Sequence, residues 1–384
     1  MPQRYVAHMD LDTFFVSVAR LEDPSLIGKP VIIGGSRERG VVSTCSYEAR
    51  KFGVTSAMPM KKAIALCPHA IVTSSSRGEY TRYSRWVTQI IANKAPSFEK
   101  ASIDEFYIDL TGMDQFFDPL QWTIDLRAAI TEETGLPISF GLASNKMVAK
   151  IATDEAKPNG YMFVQPGKEQ EFLAPLKVEK ISGVGKQSVE ILHEIGIKTI
   201  GDILKVPIAL LEKKLGKWGA DLYERAQGVH YGEVSNEHLT KSISTERTYD
   251  QYLTDPEAML AELVYMTEKV AHNLRGEGFM TGCVGIKIRY PNFDTVQKQK
   301  TIDYTFAEQD IIPVIKELFQ QLYQPGKEVR LIGVRLTELG QHALQGSLFN
   351  DQIRKAHLYA AIDEVKNKYG KLAIRRAGGK QAGK

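Results

Sequence analysis

Hydrophobic and polar positions divide the chain into a mixed region, a helical middle and a second mixed region. Residues 5–11 alternate as a strand, and Asp12 to Arg20 reads as a short helix with Asp12 at its N-cap. Val31-Ile32-Ile33-Gly34-Gly35 and Gly40-Val41-Val42-Ser43-Thr44 predict two short strands joined by a basic turn. Helices are predicted from Ser46 to Phe52, from Met60 to Leu66 and over 79–93. Then follow a strand over 98–110, a helix over 120–134, a strand over 137–143 and a helix over 145–155. Strands 5–11, 98–110 and 137–143 with helices between them imply an α+β sheet covered on one face.

The pattern changes at Glu179. Lys180-Ile181-Ser182-Gly183-Val184-Gly185-Lys186 enters a helix, and short helices continue to about Gln227. Residues 230–241 are polar and aperiodic, which predicts a linker. Strands over 242–249, 282–290, 296–304 and 329–338, with helices over 256–275 and 308–323, give a β-α-β-β-α-β unit. A loop, a basic amphipathic helix near 351–369 and a Gly/Lys/Arg tail complete the chain.

Composition alters this picture little. Length alone, 384 residues, predicts two to four domains, and 43% hydrophobic with 25% charged residues is ordinary globular composition. With no span-length apolar run and no secretory signal, the reading is a cytoplasmic protein without a membrane segment. Cys45, Cys67 and Cys283 are widely spaced and read as reduced thiols. Net charge is +3, but residues 351–384 hold nine basic and three acidic residues, so everything before them is slightly acidic. Bulk charge therefore gives no support to nucleic-acid binding by the folded body.

Candidate chemistry concentrates in two segments. Asp10 ends the first strand, and Asp104 and Glu105 sit side by side in a strand-like stretch, where adjacent acids repel and lose solvation. Divalent cations would neutralise them, since three carboxylates on neighbouring strands suit a pair of Mg²⁺ ions. A solvated edge strand with acids at a turn explains the same residues equally well. Phe14 and Phe15 cannot both face the core from one helix, which leaves one free to line a site. Tyr47 and Arg50 lie one helical turn apart at a strand-to-helix junction, so both can reach one anionic ligand. Lys146 and Lys150 form an i, i+4 pair, and Lys157 lies in the turn Ala156-Lys157-Pro158-Asn159-Gly160. Gly183-Val184-Gly185, with Lys186 behind it, allows backbone amides to approach a phosphate, although a plain Gly-rich helix connection fits as well. In Cys283 to Tyr290, Val284, Ile286 and Ile288 face a core while Lys287 and Arg289 face out, with Lys298 and Lys300 repeating the basic pattern.

Four strings in order carry a resemblance: Met9-Asp10-Leu11-Asp12-Thr13-Phe14-Phe15, Tyr47-Glu48-Ala49-Arg50-Lys51-Phe52-Gly53-Val54, Ser102-Ile103-Asp104-Glu105 and Ala156-Lys157-Pro158-Asn159-Gly160. With the helical hairpin and the second βαββαβ unit, the chain over about 5–340 resembles the Y-family DNA polymerases, in the polymerase IV/kappa branch. The resemblance implies a right-hand polymerase: palm over 1–17 and 77–166, fingers over 18–76, thumb over 167–229, linker 230–241, little finger 242–341, and a clamp-binding peptide with a basic tail over 342–384. It implies a monomeric, low-fidelity translesion enzyme that adds deoxynucleoside triphosphates to primer-template DNA. Asp10, Asp104 and Glu105, with the carbonyl of Leu11, would hold two Mg²⁺ ions. Phe14, Phe15, Tyr47, Arg50 and Lys157 would bind the nucleotide, with Phe15 as the steric gate against ribose. Gly183, Gly185, Lys186, Lys287 and Arg289 would contact DNA. Gln345, Leu348 and Phe349, in Gln345-Gly346-Ser347-Leu348-Phe349, resemble the peptide that docks on the bacterial sliding clamp. Two departures from the family pattern are Phe106 and Cys45, where small residues are common. Two rival readings are a catalytically silent DNA- and clamp-binding scaffold, and a nucleotidyl cyclase; the latter has no use for a helical hairpin and a little finger.

Overall fold

The structure is a computed structural model that describes residues 3–74, 77–236, 240–341, 352–371, 373–374, 376 and 379. The chain divides into two units, Met1–His238 and Leu239–Lys384.

The first unit opens with β1 (Val6–Leu11), α1 (Phe14–Glu22), β2 (Val31–Gly34), β3 (Val42–Cys45), α2 (Tyr47–Arg50), α3 (Met60–Leu66) and β4 (Ile71–Thr73). It continues through α4 (Arg77–Lys94), β5 (Phe98–Lys100), β6 (Glu105–Asp109), α5 (Pro119–Thr134), β7 (Ile138–Ala143), α6 (Lys146–Ala156) and β8 (Tyr161–Phe163). The main sheet has the order β5-β6-β1-β7-β8, which puts β1 at its centre, and β3-β2-β4 form a separate small sheet. Strand β1 is buried along its whole length, because helices pack on both faces. Alternate residues Ala7, Met9, Leu11, Phe106 and Ile108 join α4 and α5 in one apolar core. On the opposite face lies α6, whose Thr153 hydroxyl meets the His8 ring at 2.8 Å. The expected sheet with one covered face is therefore corrected. The approach of α6 depends on Gly141 of β7, where a Cβ would lie 2.2 Å from the Ala149 carbonyl oxygen and 2.6 Å from the Thr153 nitrogen. Only a residue without a side chain fits there.

The predicted strand over 98–110 is a hairpin. β5 and β6 pair antiparallel, and residues 101–104 form the turn between them. The Ser102 hydroxyl organises that turn: it accepts from the backbone of Asp104 and Glu105 at 3.2 and 3.0 Å and donates to Asp104 Oδ1 at 2.6 Å. The helices α7 (Glu169–Leu173), α8 (Lys186–Glu194), α9 (Ile200–Ile203), α10 (Ile208–Leu215) and α11 (Trp218–Ala226) follow. Gly183 has φ +98°, a conformation costly for residues with a Cβ, and Gly185 caps α8.

The second unit contains β9 (Ser242–Leu253), α12 (Pro256–Gly276), β10 (Met280–Arg289), β11 (Thr295–Thr305), α13 (Glu308–Leu322), β12 (Val329–Gly340) and α14 (Gln352–Tyr369). Its antiparallel sheet has the order β11-β10-β12-β9, with α12 and α13 packed on the face of Val284, Ile286 and Ile288. The α+β class and the βαββαβ order agree with the sequence reading. The expected position of Lys298 and Lys300 does not. Register pairs Ile286 with Lys298 and Val284 with Lys300, so both lysines lie on the helix side, where Lys300 bonds Glu317 at 2.7 Å. Residues directly opposite in an antiparallel pair share a face.

The terminal basic helix is part of this unit's core. Tyr359 of α14 is 1% exposed, and Asp363 binds Arg275 of α12 at 2.7 and 2.8 Å and His272 at 2.8 Å. Residues 342–351 lie outside the described residues, and with them Gln345, Leu348 and Phe349.

Candidate active site

Antiparallel pairing sets Asp10 opposite Glu105 on one side and opposite Ser139 on the other. The Leu11 amide donates to the Asp104 carbonyl at 3.1 Å, which ties the acidic turn to the end of β1. The carboxylates therefore lie on the α6 face of the sheet, and lysines of that side meet them. Lys157 Nζ stands 2.6 Å from Asp10 Oδ2, Lys150 pairs with Glu105, and Lys146 binds Glu99 at 2.6 Å.

Asp10 is 7% exposed. Burial pushes its carboxyl up to about 7; Lys157 opposes the shift, and Glu105 and Asp104 add to it. Burial also holds His8 well below the usual imidazole range, with Lys150, Lys157 and Lys146 adding, so this ring is neutral at pH 7.

A cleft of about 210 Å³ is lined by Asp10, Leu11, Phe14, Phe15, Tyr47, Arg50, Asp104 and Lys157, with Thr13, Ser43, Thr44 and Ser56 completing the wall. The structure thus brings together eight of the nine residues expected to bind metal and nucleotide. Glu105 stands beside them through its register with Asp10. Phe14 is only 2% exposed and belongs to the core, whereas Phe15 is half-buried and stacks on Tyr80 at 4.1 Å with ring planes 13° apart. That contact fixes the ring's attitude toward the cleft. Arg50 lies over the Tyr47 ring at 4.9 Å, and the Ser46 hydroxyl caps their short helix by accepting from the Ala49 amide. Burial raises the Tyr47 phenol well above its usual range, with Asp12 adding and Arg50 opposing.

Asp12 is not the N-cap of α1. The cap is Thr13, with φ 43° and no side-chain hydrogen bond to the helix. The Asp12 carboxylate is buried and accepts from Ser139 Oγ at 2.9 Å, the Asn159 amide at 2.7 Å and Tyr47 Oη at 3.2 Å. Sequence reasoning also left Ser102 and Lys150 without partners; the acidic pair beside Ser102 was the one available signal. Cys45 is fully buried beneath α2, with its thiol pushed up by burial, so it is shielded rather than exposed to oxidants. Phe106 is a core residue under the sheet.

Gly183, Gly185 and Lys186 lie in the helical hairpin outside this cleft. Lys287 and Arg289 lie on the open face of the second unit's sheet. There Lys287, Gly333 and Glu246 share one register row, and Lys287 bonds Glu246 across the glycine at 2.7 Å.

The three carboxylates, with Mg²⁺ in view, form a hard, all-oxygen donor set of the kind that suits such an ion. Among the described residues no group of three His, Cys, Asp or Glu side chains stands close enough to hold a metal as arranged. Lys157 supplies positive charge at Asp10, which is the charge a bound cation would replace.

Known proteins give this geometry a frame. Residues 9–154 match the impB/mucB/samB family, residues 240–348 its C-terminal domain, and residues 179–230 the thumb domain of DNA polymerase-iota. DNA polymerase IV of Lactococcus lactis subsp. cremoris (strain SK11) is 39% identical over 350 residues, covering 88% of this chain and 94% of that protein. DNA polymerase IV of Dehalococcoides mccartyi (strain ATCC BAA-2266 / KCTC 15142 / 195) is 36% identical over 374 residues, covering 96% of each. A solved Y-family DNA polymerase chimera, Dbh-Dpo4(243-245)-Dbh, superposes with a TM-score of 0.77 at 27% identity, covering 87% of this chain and 99% of its own. A chain with these relatives along nearly its whole length belongs to the Y family of DNA polymerases.

Proposed function

We propose that Asp10, Asp104 and Glu105, with the Leu11 carbonyl, hold two Mg²⁺ ions for nucleotidyl transfer to a primer 3′-hydroxyl. The chain is a DNA-directed DNA polymerase of the translesion class, and Y-family polymerases depend on divalent metal. Metal bound there supplies a lowered pKa at the primer hydroxyl and charge neutralisation at the triphosphate. The protein's own residues do the remainder. The Ser102 hydroxyl orients Asp104, and Lys150 orients Glu105. Lys157, once released from Asp10, reaches the β- and γ-phosphates as a point charge, and Arg50 offers them a planar fork. Phe15, held by Tyr80, stands where a 2′-hydroxyl would clash. The observation that carries this reading is the convergence of Asp10, Asp104, Phe15, Tyr47, Arg50 and Lys157 on one cleft.

The finer assignments extend the same reading. The palm comprises 1–17 and 77–166, the fingers 18–76, the thumb 167–229 and the little finger 242–341. Gly183, Gly185 and Lys186 contact the DNA backbone without reading sequence, and Lys287 with Arg289 follows it on the open sheet. Gln345, Leu348 and Phe349 dock on a sliding clamp, and the enzyme works as a cytoplasmic monomer. No helix among the described residues is long and apolar enough to cross a membrane.

Primer extension with Mg²⁺ tests the core of the proposal. Asp104→Ala should lower the incorporation rate by about 10³-fold or more. Normal extension by that variant removes the carboxylate from catalysis. In the same assay Phe15→Ala should admit ribonucleotides, and unchanged sugar discrimination takes the gate role from Phe15.

A further inference from the structure

Asp12 is 2% exposed, and among the described residues its carboxylate takes only uncharged donors. A buried carboxylate is costly unless its lone pairs are satisfied. Its three donors come from three separate places: Ser139 on β7, the Asn159 amide in the turn after α6, and Tyr47 on α2. Two of these donors lie on, or beside, the side chains assigned to the phosphates.

We propose that Asp12 is a positioning residue that presets the triphosphate clamp by parking the Tyr47 hydroxyl and fixing the turn that carries Lys157. The inference rests on the reading of Tyr47 and Lys157 as phosphate ligands. A phenol has one proton to donate, so Tyr47 cannot serve Asp12 and a phosphate at once. Its bond to Asp12, at 3.2 Å, is the longest of the set, while Asn159 at 2.7 Å and Ser139 at 2.9 Å hold the carboxylate more closely. Asp12 therefore stays satisfied when Tyr47 turns its proton to an incoming phosphate, and the exchange leaves no buried charge bare. The raised phenol pKa keeps Tyr47 protonated, and so a donor, throughout this movement.

The turn is gripped from two sides. Asn159, with φ 48°, donates its amide to Asp12, while its carbonyl and side-chain oxygen both accept from Arg127 Nη2 at 2.7 Å. The Ser139 hydroxyl accepts from the Gly160 amide at 3.2 Å and donates its own hydrogen bond to Asp12 at 2.9 Å. Lys157 leads directly into this held turn, so its reach is set before any nucleotide enters.

Single-nucleotide incorporation kinetics test the inference, with deoxynucleotide KM, kcat and primer-template affinity read separately. Tyr47→Phe and Lys157→Ala should each raise the nucleotide KM. Asp12→Ala should raise it about tenfold, the equivalent of one or two hydrogen bonds, with unchanged DNA affinity. Asp12→Asn keeps an acceptor for Ser139 and Asn159 and should recover most of the loss. Adding Tyr47→Phe to Asp12→Ala should cost less than Tyr47→Phe costs alone, because a hydroxyl that Asp12 no longer presets meets the phosphate less often. Should Asp12→Ala unfold, Ser139→Ala carries the test, with an expected rise of about threefold. An unchanged KM in a folded Asp12→Ala or Ser139→Ala protein, or independent addition in the double variant, overturns the inference. If Tyr47→Phe and Lys157→Ala leave KM unchanged, the clamp reading fails first, and the inference with it.

Discussion

Asp10 is less stable as an anion than an ordinary carboxylate because burial, Glu105 and Asp104 all disfavour its charge, and Lys157 offsets them only in part. A carboxyl raised from 3.8 to about 7 binds its proton more tightly in the folded chain than in the unfolded one. Its contribution to stability is thus present below pH 4 and is lost as pH rises toward 7. Asp10→Asn should stabilise the metal-free protein at pH 7.5 by about 1–3 kcal/mol, less than the full shift because Lys157 loses its anion. Thermal unfolding in chelator measures this, and an unchanged or lower midpoint refutes it. The same variant should be inactive in primer extension. Asp10 and the adjacent acids were legible in the sequence because acids in strand-like segments contradict strand propensity. Asp12 was not, since a carboxylate just ahead of an apolar helix satisfies the N-cap pattern whether or not it points that way. Its actual partners, Ser139 and Asn159, are distant in sequence, and no local rule joins them to it.

At the scale of elements, periodicity located nearly every helix, while pairing decided where charged residues faced. The stretch 98–110 alternates well enough to read as one strand, and only the Ser102 turn shows that it folds back. Lys298 and Lys300 look outward by analogy with Lys287, but the β10–β11 register sets even residues against even ones. Helix α14 was legible as a helix and not as core, because its apolar residues are spread around it rather than gathered on one face, and its anchor is partly ionic. Burial would raise Asp363, but hydrogen bonds from Arg275 and His272 outweigh it and hold the carboxyl below its usual range. That depressed value contributes stability above about pH 4, lost as acid protonates the group. Asp363→Ala leaves Arg275 paired with Glu308 alone and should destabilise the second unit by about 2–4 kcal/mol. Faster hydrogen exchange over 352–369 would register it, and unchanged exchange would show that Tyr359 and the Lys355–Asp310 pair hold the helix without it.

For the whole molecule, a slightly acidic folded body must bind a polyanion through local arrangement. The open sheet of the second unit carries its own restraint in Glu246, which neutralises Lys287 across Gly333. Glu246→Gln should tighten DNA binding about two- to fivefold at 0.1 M salt and steepen the salt dependence by about one counterion. Equal affinities across a salt series would show that Lys287 does not meet phosphate. The chemistry of the first unit is governed by a different dimension, the spacing between two layers. Gly141 lets α6 ride against the sheet at backbone distance, and Lys146, Lys150 and Lys157 travel with that helix. A single methyl there would act as a shim, lifting Lys157 off Asp10, Lys150 off Glu105 and Lys146 off Glu99 in one movement. The catalytic electrostatics can therefore be retuned in evolution, or in the laboratory, from a position outside the cleft.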